Sequence, residues 1–379
     1  MRLRAAVLTE IGRQRPYAHT APLSVVPVEL DPPGPGELLV RVLAAGVCHS
    51  DLSVVDGNRA RPTPMVLGHE GAGIIEEVGE GVVGADEGDH VVFTFVPSCG
   101  LCAECQTGRP ALCRRAAVSN QAGAMLRGGR RLHREGERLH HHLGVSAFAE
   151  YAVVDRGSAV VIPGDIPFHV AALLGCAVLT GYGAVVNTAD ARPGQSAAIF
   201  GLGGVGLAAV MSAVVAGLRP VFAVDPIEAK RDLAIEIGAD AAFVPDEATE
   251  AIPAATDGGV DIGVEAAGHA AVLATVLGAT RRGGTTVAVG LPHPDAKLEV
   301  PALSFAGSGK RLLGSYMGDA SPGRDIPRLV GLWRSGKLPL ERLHTHTRPL
   351  DEINTAFDLL ADGDAIRQII QPHDNKEDQ

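Results

Sequence analysis

Cysteine and positive charge are both scarce in this sequence, and each shortage excludes a class of protein. Six cysteines in 379 residues are too few for a disulfide-bonded scaffold. Lysine and arginine total 33 against 44 aspartate and glutamate residues, which gives a formal net charge of −11. A chain this acidic repels phosphate backbones, so we expect no nucleic-acid partner. With 46% hydrophobic and 20% charged residues, the chain is not intrinsically disordered either.

We also expect no secretory leader, and we find no internal repeats in the sequence. The apolar run after Met1–Arg4 ends at Glu10, which is too short for the core of a signal peptide. Two stretches, Val170–Ala189 and Ala197–Leu218, contain at least 20 uncharged residues and are long enough to span a bilayer. Glycines interrupt both, so we interpret them as buried strands and helices of an α/β core. We therefore expect a soluble, cytoplasmic protein with no membrane segment.

The pattern of the sequence changes along the chain in a way that indicates two domains. Residues 1–100 hold short β-like runs broken by proline and glycine, and residues 100–145 are irregular. From about 178 to 320, strand-like and helix-like segments alternate. That alternation predicts an α/β domain with a doubly wound parallel sheet.

A glycine-rich segment fits the G-x-G-x-x-G pattern of a dinucleotide site. Its residues are Gly201, Leu202, Gly203, Gly204, Val205 and Gly206. A strand-like run, Ala197–Phe200, precedes it, and an apolar helix pattern, Leu207–Ala216, follows. In this context the glycines permit a tight turn and a close approach of a pyrophosphate to the start of the helix. The alternative is a glycine-rich core turn that binds nothing.

Asp225 lies 19 residues after Gly206, at the end of the next strand-like run. A carboxylate there can accept hydrogen bonds from the adenosine ribose hydroxyls. A 2′-phosphate would meet like charge, and Pro226 and Ile227 supply no arginine, so we predict NAD rather than NADP. Lys230 would hold the edge of the ribose, unless it is an ordinary solvated helix lysine.

Four of the six cysteines fall within 15 residues, a spacing typical of a metal site. They are Cys99, Cys102, Cys105 and Cys113. Four thiolates close a tetrahedron around Zn²⁺ and leave no position for a substrate, so we predict a structural zinc. An iron–sulfur cluster and a zinc ribbon for nucleic acid are the alternatives, and the acidic chain disfavours the second.

Five segments together resemble the zinc-dependent medium-chain alcohol dehydrogenases. They are Gly46–Asp51, Gly68–Gly81, Cys99–Cys113, Gly175–Gly183 and Gly201–Gly206. The length is similar to that of the dimeric type, including the class related to thiol-dependent formaldehyde dehydrogenases. The resemblance implies a mainly β, GroES-like catalytic domain, 1–177 plus 321–379, with a structural-zinc lobe at about 97–115. A Rossmann NAD-binding domain, 178–320, would be inserted in it.

The resemblance also implies the catalytic residues. By spacing alone, the remaining cysteines and a histidine would be either core residues or metal ligands. The family pattern makes them the ligands of a catalytic zinc with an open fourth position: Cys48, His69 and Cys176. In that pattern Ser50 accepts the proton of the alcohol, Asp51 orients the zinc-bound histidine, and Glu70 lies behind the metal.

Other residues match family positions that contact the cofactor or the substrate. For the cofactor these are His49 and Arg367 at the pyrophosphate, Thr180 and Val205 at the nicotinamide, and Val289 and Leu291 at its carboxamide. Phe95 and Tyr316 occupy substrate-channel positions, unless they are ordinary core residues. One position departs from several members, in which a histidine ends the proton relay. This chain has Ser53 there, which cannot act as a base near neutral pH.

Residues 127–142 hold five arginines and end in three consecutive histidines. We interpret this segment as a solvated loop, or else as a basic rim that recruits an anionic substrate such as a carboxylated thiol adduct.

The expected activity is the reversible oxidation of a primary alcohol, aromatic or medium-chain, to an aldehyde with NAD. We expect a homodimer with two zinc ions per chain and a small-molecule alcohol or aldehyde as its substrate. The alternatives are a thiol-dependent formaldehyde dehydrogenase and a polyol or amino-alcohol dehydrogenase. A non-enzymatic binding protein is disfavoured because all seven apparent metal ligands are present.

Overall fold

The computed structural model describes residues 1–373, apart from the side chain of Ser304. The last six residues of the predicted catalytic domain, 374–379, lie outside the described part. The chain divides into two compact units. The first comprises Met1–Cys176, Ser321–Pro327 and Leu343–Gln379, and the second comprises Ala177–Ala320 and Arg328–Arg342.

Strands and helices occur along the whole described chain. The strands are β1 (Arg2–Leu8), β2 (Leu23–Leu30), β3 (Glu37–Val47), β4 (Met65–Val66), β5 (Glu70–Val78), β6 (His90–Phe93), β7 (Leu132–Arg134), β8 (Glu137–Arg138), β9 (His140–His141), β10 (Tyr151–Asp155), β11 (Ala159–Ile162), β12 (Ala197–Phe200), β13 (Val221–Val224), β14 (Ala241–Phe243), β15 (Val260–Glu265), β16 (Thr280–Ala288), β17 (Arg311–Gly314), β18 (His344–Pro349) and β19 (Arg367–Gln371). The α-helices are α1 (Tyr17–Thr20), α2 (His49–Val55), α3 (Ala103–Gln106), α4 (Arg114–Gln121), α5 (Phe168–Leu173), α6 (Leu179–Gly183), α7 (Gly204–Val215), α8 (Glu228–Glu236), α9 (Pro245–Ala255), α10 (Ala270–Ala279), α11 (Ala302–Ser308), α12 (Pro322–Arg334) and α13 (Ile353–Asp362).

Two β-sheets form the first unit. One has the strand order β8-β7-β2-β1-β4-β9, and the other has the order β11-β6-β5-β3-β19-β18, with β10 also paired to β3. Strand β3 alternates buried apolar residues, among them Leu38, Val40 and Val42, which form part of the core. It pairs antiparallel with β5, and Gly46 lies opposite Glu70. This register brings the end of β3 next to the start of β5, which is where the candidate site lies.

One six-stranded sheet forms the centre of the second unit, with the order β14-β13-β12-β15-β16-β17. All of its strand pairs are parallel. Every residue of β12 is buried, as expected for a central strand covered on both faces. The strand order reverses direction at β12, because β13 lies on one side of it and β15 on the other. Ligands of such sheets bind at this switch point. The predicted doubly wound sheet is confirmed.

One helical stretch, Phe168–Thr188, is long and apolar enough to cross a membrane, with 21 residues and a mean hydropathy of 1.8. Inside the protein, however, 89% of its most apolar window is buried, as in the core helix of a globular protein. The second apolar stretch of the sequence is not one helix, because it divides into strand β12 and helix α7.

Candidate active site and metal centres

Three predicted zinc ligands meet at one point of the first unit. Cys48 follows β3, His69 precedes β5, and Cys176 lies in a π-helical turn. One ligand atom from each of them and one from Glu70 all lie within 4.8 Å of one another, and all four residues are buried. Two thiols and an imidazole are a donor set that zinc prefers, and a three-residue set leaves a position open. The residues present therefore fit a catalytic zinc.

The surroundings of this cluster favour an ionised thiol at Cys48. Its pKa is lowered well below the ordinary value, first because the Cys176 thiol donates to its sulfur and then because Arg367 lies nearby. The pKa of Cys176 is raised by the same contact and by burial. The deprotonated thiol is the form that binds a metal.

Asp51 lies directly behind His69. Its Oδ1 is 3.1 Å from His69 Nδ1 and accepts a hydrogen bond of 3.1 Å from the backbone N–H of Gly68. Because Nδ1 faces the carboxylate, Nε2 is the ring nitrogen left for a metal. Burial lowers the pKa of His69, but Asp51 outweighs it and the pKa lies well above its ordinary value. This geometry is consistent with the orienting role predicted for Asp51.

Glu70 is fully buried and pairs with Arg367. The guanidinium Nη1 of Arg367 donates to Glu70 Oε1 at 3.1 Å and to the carbonyl oxygen of Val47 at 3.3 Å. Among the described residues, Glu70 Oε2 has no hydrogen-bond partner, and a metal can satisfy such an orphaned oxygen. Burial raises the pKa of Glu70 to about 7. Arg367, predicted at the cofactor pyrophosphate, is thus placed beside the metal cluster and is only 4% exposed.

The four cysteines of the second cluster also lie close together in the structure. The sulfur atoms of Cys99, Cys102, Cys105 and Cys113 lie within 4.8 Å of one another. The N–H groups of Leu101 and Cys102 each donate to Cys99 Sγ at 3.4 Å. Burial alone would raise the pKa of Cys99, but these N–H groups bring it down to about 6. Four sulfur ligands this close together fit a structural zinc.

The glycine-rich segment connects β12 to α7 in the second unit. Gly201 has a φ of +90°, and a Cβ atom on Gly206 would lie 1.8 Å from the carbonyl oxygen of Gly201. Only glycine permits this turn, which leaves the backbone and the N-terminus of α7 free to face an anion. Leu202 and Gly203 precede the helix, and Gly204 is its first residue.

The carboxylate of Asp225 accepts two hydrogen bonds from the backbone. Its Oδ2 accepts a hydrogen bond from Leu202 N at 2.7 Å, and its Oδ1 accepts one from Ile227 N at 2.9 Å. Each carboxylate oxygen keeps a second lone pair for a ribose hydroxyl. Asp225 therefore also fixes the glycine-rich turn, a role that the G-x-G-x-x-G pattern does not reveal.

An arginine that the sequence analysis missed lies beside Asp225. Arg231 Nη1 donates to the carbonyl oxygens of Asp225 and Pro226, both at 2.8 Å. It is six residues from Asp225 along the chain, and helix α8 folds it back, so inspection of the adjacent residues could not find it. Lys230, predicted at the ribose edge, is half-buried on the same helix.

Helix α6, which contains Thr180, packs closely on helix α7, which contains Val205. A Cβ on Gly181 would lie 2.4 Å from Val205 O, so the missing side chain lets α6 approach α7 closely. Val289 is buried, and its N–H donates to the carbonyl oxygen of Glu265 at 2.9 Å, while Leu291 is 49% exposed.

The remaining predicted residues differ in exposure. Ser50 is half-buried at the start of α2, next to the exposed His49. Phe95 is buried and packs edge to face on His69, with ring centroids 5.6 Å apart. Tyr316 is 38% exposed in the second unit. Of the two predicted substrate residues, Phe95 therefore contacts the metal cluster of its own unit.

Two arginines of the basic segment have buried partners that neither interpretation anticipated. Arg127 Nε lies 2.9 Å from Asp155 Oδ2, and Arg131 Nε lies 2.8 Å from Glu37 Oε2. Both carboxylates are only 3% exposed, and a buried carboxylate requires a counter-charge. These arginines therefore neutralise buried carboxylates, although the side chain of Arg127 is itself 60% exposed, as in a solvated loop.

Two of the three histidines that end this segment, His141 and His142, are also buried, against expectation. His142 is 2% exposed, and its Nδ1 lies 2.9 Å from Asp51 Oδ1. Its ring packs edge to face on His69 with centroids 5.5 Å apart. Within a run of arginines and histidines nothing marks this residue, because only the fold brings it to Asp51.

Comparisons with known proteins agree with this geometry. The model of the alcohol dehydrogenase GroES-like domain matches residues 34–164, and that of the zinc-binding dehydrogenases matches residues 204–333. The chain is 39% identical to geraniol dehydrogenase of Castellaniella defragrans, over 97% of this chain and 96% of the relative. It is 37% identical to S-(hydroxymethyl)glutathione dehydrogenase of Synechocystis sp., over 98% and 100%.

A solved structure is similar along its full length as well. Benzyl alcohol dehydrogenase of Acinetobacter calcoaceticus superposes with a TM-score of 0.92 at 33% identity, covering 98% of this chain and 100% of that one. The two family models, the relatives and the two cysteine-rich clusters agree. The chain therefore belongs to the zinc-dependent alcohol dehydrogenase family, and it is an oxidoreductase of alcohols whose cofactors are zinc and NAD.

Proposed function

We propose that this enzyme interconverts a primary alcohol and its aldehyde, with hydride transfer to and from NAD, and that Cys48, His69 and Cys176 hold the catalytic zinc. The observation that carries the proposal is the buried cluster of these three residues with Glu70, whose ligand atoms lie within 4.8 Å of one another. The four-cysteine cluster, Cys99 to Cys113, would hold the structural zinc in the lobe at about 97–115.

The residues around the cluster would each do one task. When bound, zinc supplies a Lewis acid for the alcohol oxygen, and NAD accepts the hydride. Ser50 takes the alcohol proton through its hydroxyl, and Asp51 holds His69 in orientation. Ser53 Oγ donates to the carbonyl oxygen of Ser50 at 2.9 Å, so its hydroxyl is engaged with the backbone. The proton therefore leaves through other hydroxyls or water rather than through residue 53.

The cofactor would bind to the second unit, on the turn formed by Gly201–Gly206 and the N-terminus of α7. Asp225 would accept the adenosine ribose hydroxyls and so favour NAD over NADP. Lys230 at the ribose edge, Thr180 with Val205 at the nicotinamide, and Val289 with Leu291 at the carboxamide remain proposals of the same kind, as do His49 and Arg367 at the pyrophosphate. We also propose the domain division 1–177 plus 321–379 around 178–320.

The substrate would be an aromatic or medium-chain alcohol. Phe95 presents an aromatic side chain against the zinc-binding His69, which suits an apolar substituent on the reacting carbon. Relatives named for geraniol and for benzyl alcohol agree with this choice. A carboxylated thiol adduct is less favoured, because Arg127 and Arg131 already pair with buried carboxylates.

The test is a panel of primary alcohols and aldehydes, with and without added thiol, followed by NADH absorbance. We expect aromatic and medium-chain alcohols to have the highest kcat/KM, with no requirement for thiol. Activity only with formaldehyde plus a thiol would replace this proposal with the thiol-dependent alternative. Polyol oxidation without oxidation of simple alcohols would equally contradict it.

We propose that the active form of the enzyme is a cytoplasmic homodimer. Strand β17 is the edge of the parallel sheet, and an unpaired edge can join the same edge of a second copy. Close by in the chain, Leu303 is 87% exposed and Phe305 is 36% exposed, beside a groove of about 630 Å³. Apolar side chains exposed in this way are typical of an interface.

A further inference from the structure

The proposed zinc cluster has a buried neighbour that the reaction above does not use. His142 is 2% exposed and touches Asp51, the residue behind the zinc-binding His69. A histidine in the interior needs a reason, because its ring nitrogens must be desolvated. The inference below rests on the proposed assignment of Cys48, His69 and Cys176 to the catalytic zinc.

The fold delivers His142 and His69 to the same place by parallel pairing. Strand β9 pairs parallel with β4, so that Met65 lies beside His140 and Val66 beside His141. Because parallel strands end at the same edge, the chain after β4 reaches His69 where the chain after β9 reaches His142.

Ser146 fastens this arrangement. The backbone N–H of His142 donates to Ser146 Oγ at 3.1 Å, and that hydroxyl donates to the carbonyl oxygen of Val66 at 2.8 Å. The backbone at His142 is therefore tied to β4, the strand that leads into the metal ligand.

The carboxylate of Asp51 lies between the two imidazoles, and its Oδ1 is close to both rings, while its Oδ2 is also 3.1 Å from His69 Nδ1. Asp51 Oδ1 is 3.1 Å from His69 Nδ1 and 2.9 Å from His142 Nδ1. Among the residues that the structure describes, His142 Nδ1 makes no hydrogen bond of good geometry, and its close polar contact is with Asp51 Oδ1 at 2.9 Å. An ionised carboxylate only accepts hydrogen bonds, so it favours the tautomer with the proton on Nδ1.

We propose that His142 is a positioning residue that fixes the carboxylate of Asp51 and, through it, the orientation of His69 toward zinc. With only Gly68 N and one imidazole as partners, the carboxylate keeps freedom to rotate. A second imidazole on the same oxygen removes that freedom, and the edge-to-face contact of the two rings limits the tilt of His69. Sequence patterns of the zinc ligands do not include this residue.

The test measures how fast the purified holoenzyme releases zinc to an excess of a chromogenic chelator. The kinetic phase that is missing in Cys176→Ser belongs to the catalytic site. His142→Phe keeps a ring of similar size and removes both nitrogens. We expect it to release catalytic zinc about 10- to 100-fold faster, the usual effect of losing a residue that supports a metal ligand. An unchanged release rate would overturn the proposal.

Two comparisons separate positioning from packing. Asp51→Asn and the double variant Asp51→Asn/His142→Phe form a cycle with the single variants. If His142 acts through Asp51, the double variant releases zinc no faster than Asp51→Asn. If the double variant instead shows the product of the two single accelerations of zinc release, His142 does not act through Asp51.

A matched control is His141→Phe, since His141 is also fully buried. Its Nε2 accepts a hydrogen bond from the backbone N–H of Arg131 at 3.1 Å and not from the Asp51 region. The His141→Phe variant should release zinc at the wild-type rate. If it released zinc as fast as His142→Phe, His142 would be an ordinary packing residue.

A second variant covers the case in which His142→Phe does not fold. His142→Asn retains an N–H donor and is expected to release zinc at nearly the wild-type rate. If His142→Asn released zinc as fast as Asp51→Asn does, the proposal would be overturned. Absence of any Cys176-dependent phase would contradict the proposed function itself.

Discussion

At the scale of single residues, the choice of cofactor depends most on Asp225. Its carboxylate holds the N–H groups of Leu202 and Ile227 and has lone pairs left for the ribose. We expect Asp225→Ala to lower NAD-supported kcat/KM by roughly 10- to 100-fold, since a hydrogen bond to a charged group contributes about 1.5–3 kcal/mol. The ratio of NADP- to NAD-supported kcat/KM should rise, because a like charge is removed, while loss of the hydrogen bond to Leu202 N affects both cofactors alike.

Arg231 supplies the control for this variant. Its Nη1 is held by the carbonyl oxygens of Asp225 and Pro226, and the remaining N–H donors of the guanidinium can meet a 2′-phosphate. Any gain with NADP in Asp225→Ala should therefore be lost in the double variant Asp225→Ala/Arg231→Ala. Steady-state kinetics with both cofactors at fixed alcohol and ionic strength measure this. A wild-type preference for NADP would contradict the assignment of Asp225 to the ribose.

The residues that sequence alone could identify share one property: their spacing along the chain is itself the signal. Cys99 to Cys113 are close in sequence, and the glycine-rich turn requires glycines at fixed short spacings, so both patterns can be recognised from the sequence alone. His142 and Arg231 carry no such pattern, because a strand pairing and a helix turn bring them to their partners. Arg367 matched a family position, but sequence could not show that its guanidinium lies on Glu70.

At the scale of elements, the four-cysteine lobe between β6 and β7 has little regular structure of its own. Its helix α3 has four residues, too few to be stable alone in water. A closed metal site contributes folding free energy, so zinc would hold this lobe together. The same argument does not apply to the catalytic cluster, because Cys48 and His69 adjoin strands of an established sheet and Cys176 lies in a buried helical segment.

Substitution of one ligand in each cluster should therefore have different consequences. Cys102→Ser should lower the melting temperature and the yield of soluble protein, since the lobe loses its closed site. Cys176→Ser should abolish turnover and leave the melting temperature much closer to that of the wild type. Differential scanning calorimetry with metal analysis and NADH assays measures both. Equal loss of turnover with intact stability in the two variants would contradict the division into structural and catalytic zinc.

Elements were predictable where their hydrophobic pattern was strong. The alternation of strand-like and helix-like segments predicted the parallel sheet of the second unit, and the β-like runs of residues 1–100 correspond to strands such as β3. Short strands such as β4 and β9, with two residues each, have no periodicity to detect. They matter here, because their pairing places His142 behind the metal site.

At the scale of the whole molecule, we predict a homodimer that depends on the exposed apolar residues of α11. Leu303→Glu places a charge on a side chain that is 87% exposed, so the monomer fold should be unaffected while the interface is lost. Sedimentation velocity should show a dimer for the wild type and a monomer for the variant. A wild-type monomer, or a dimer unaffected by Leu303→Glu, would contradict this interface.

The most direct test of the account is the zinc dependence of alcohol oxidation by NAD. The holoenzyme should contain close to two zinc ions per chain, and one should be removable by a chelator without unfolding, because the closed cysteine site retains its metal. The account predicts that loss of this one zinc abolishes NADH formation from a primary alcohol, and that added Zn²⁺ restores it. NADH formation at an unchanged rate in protein with a single, structural zinc would contradict it.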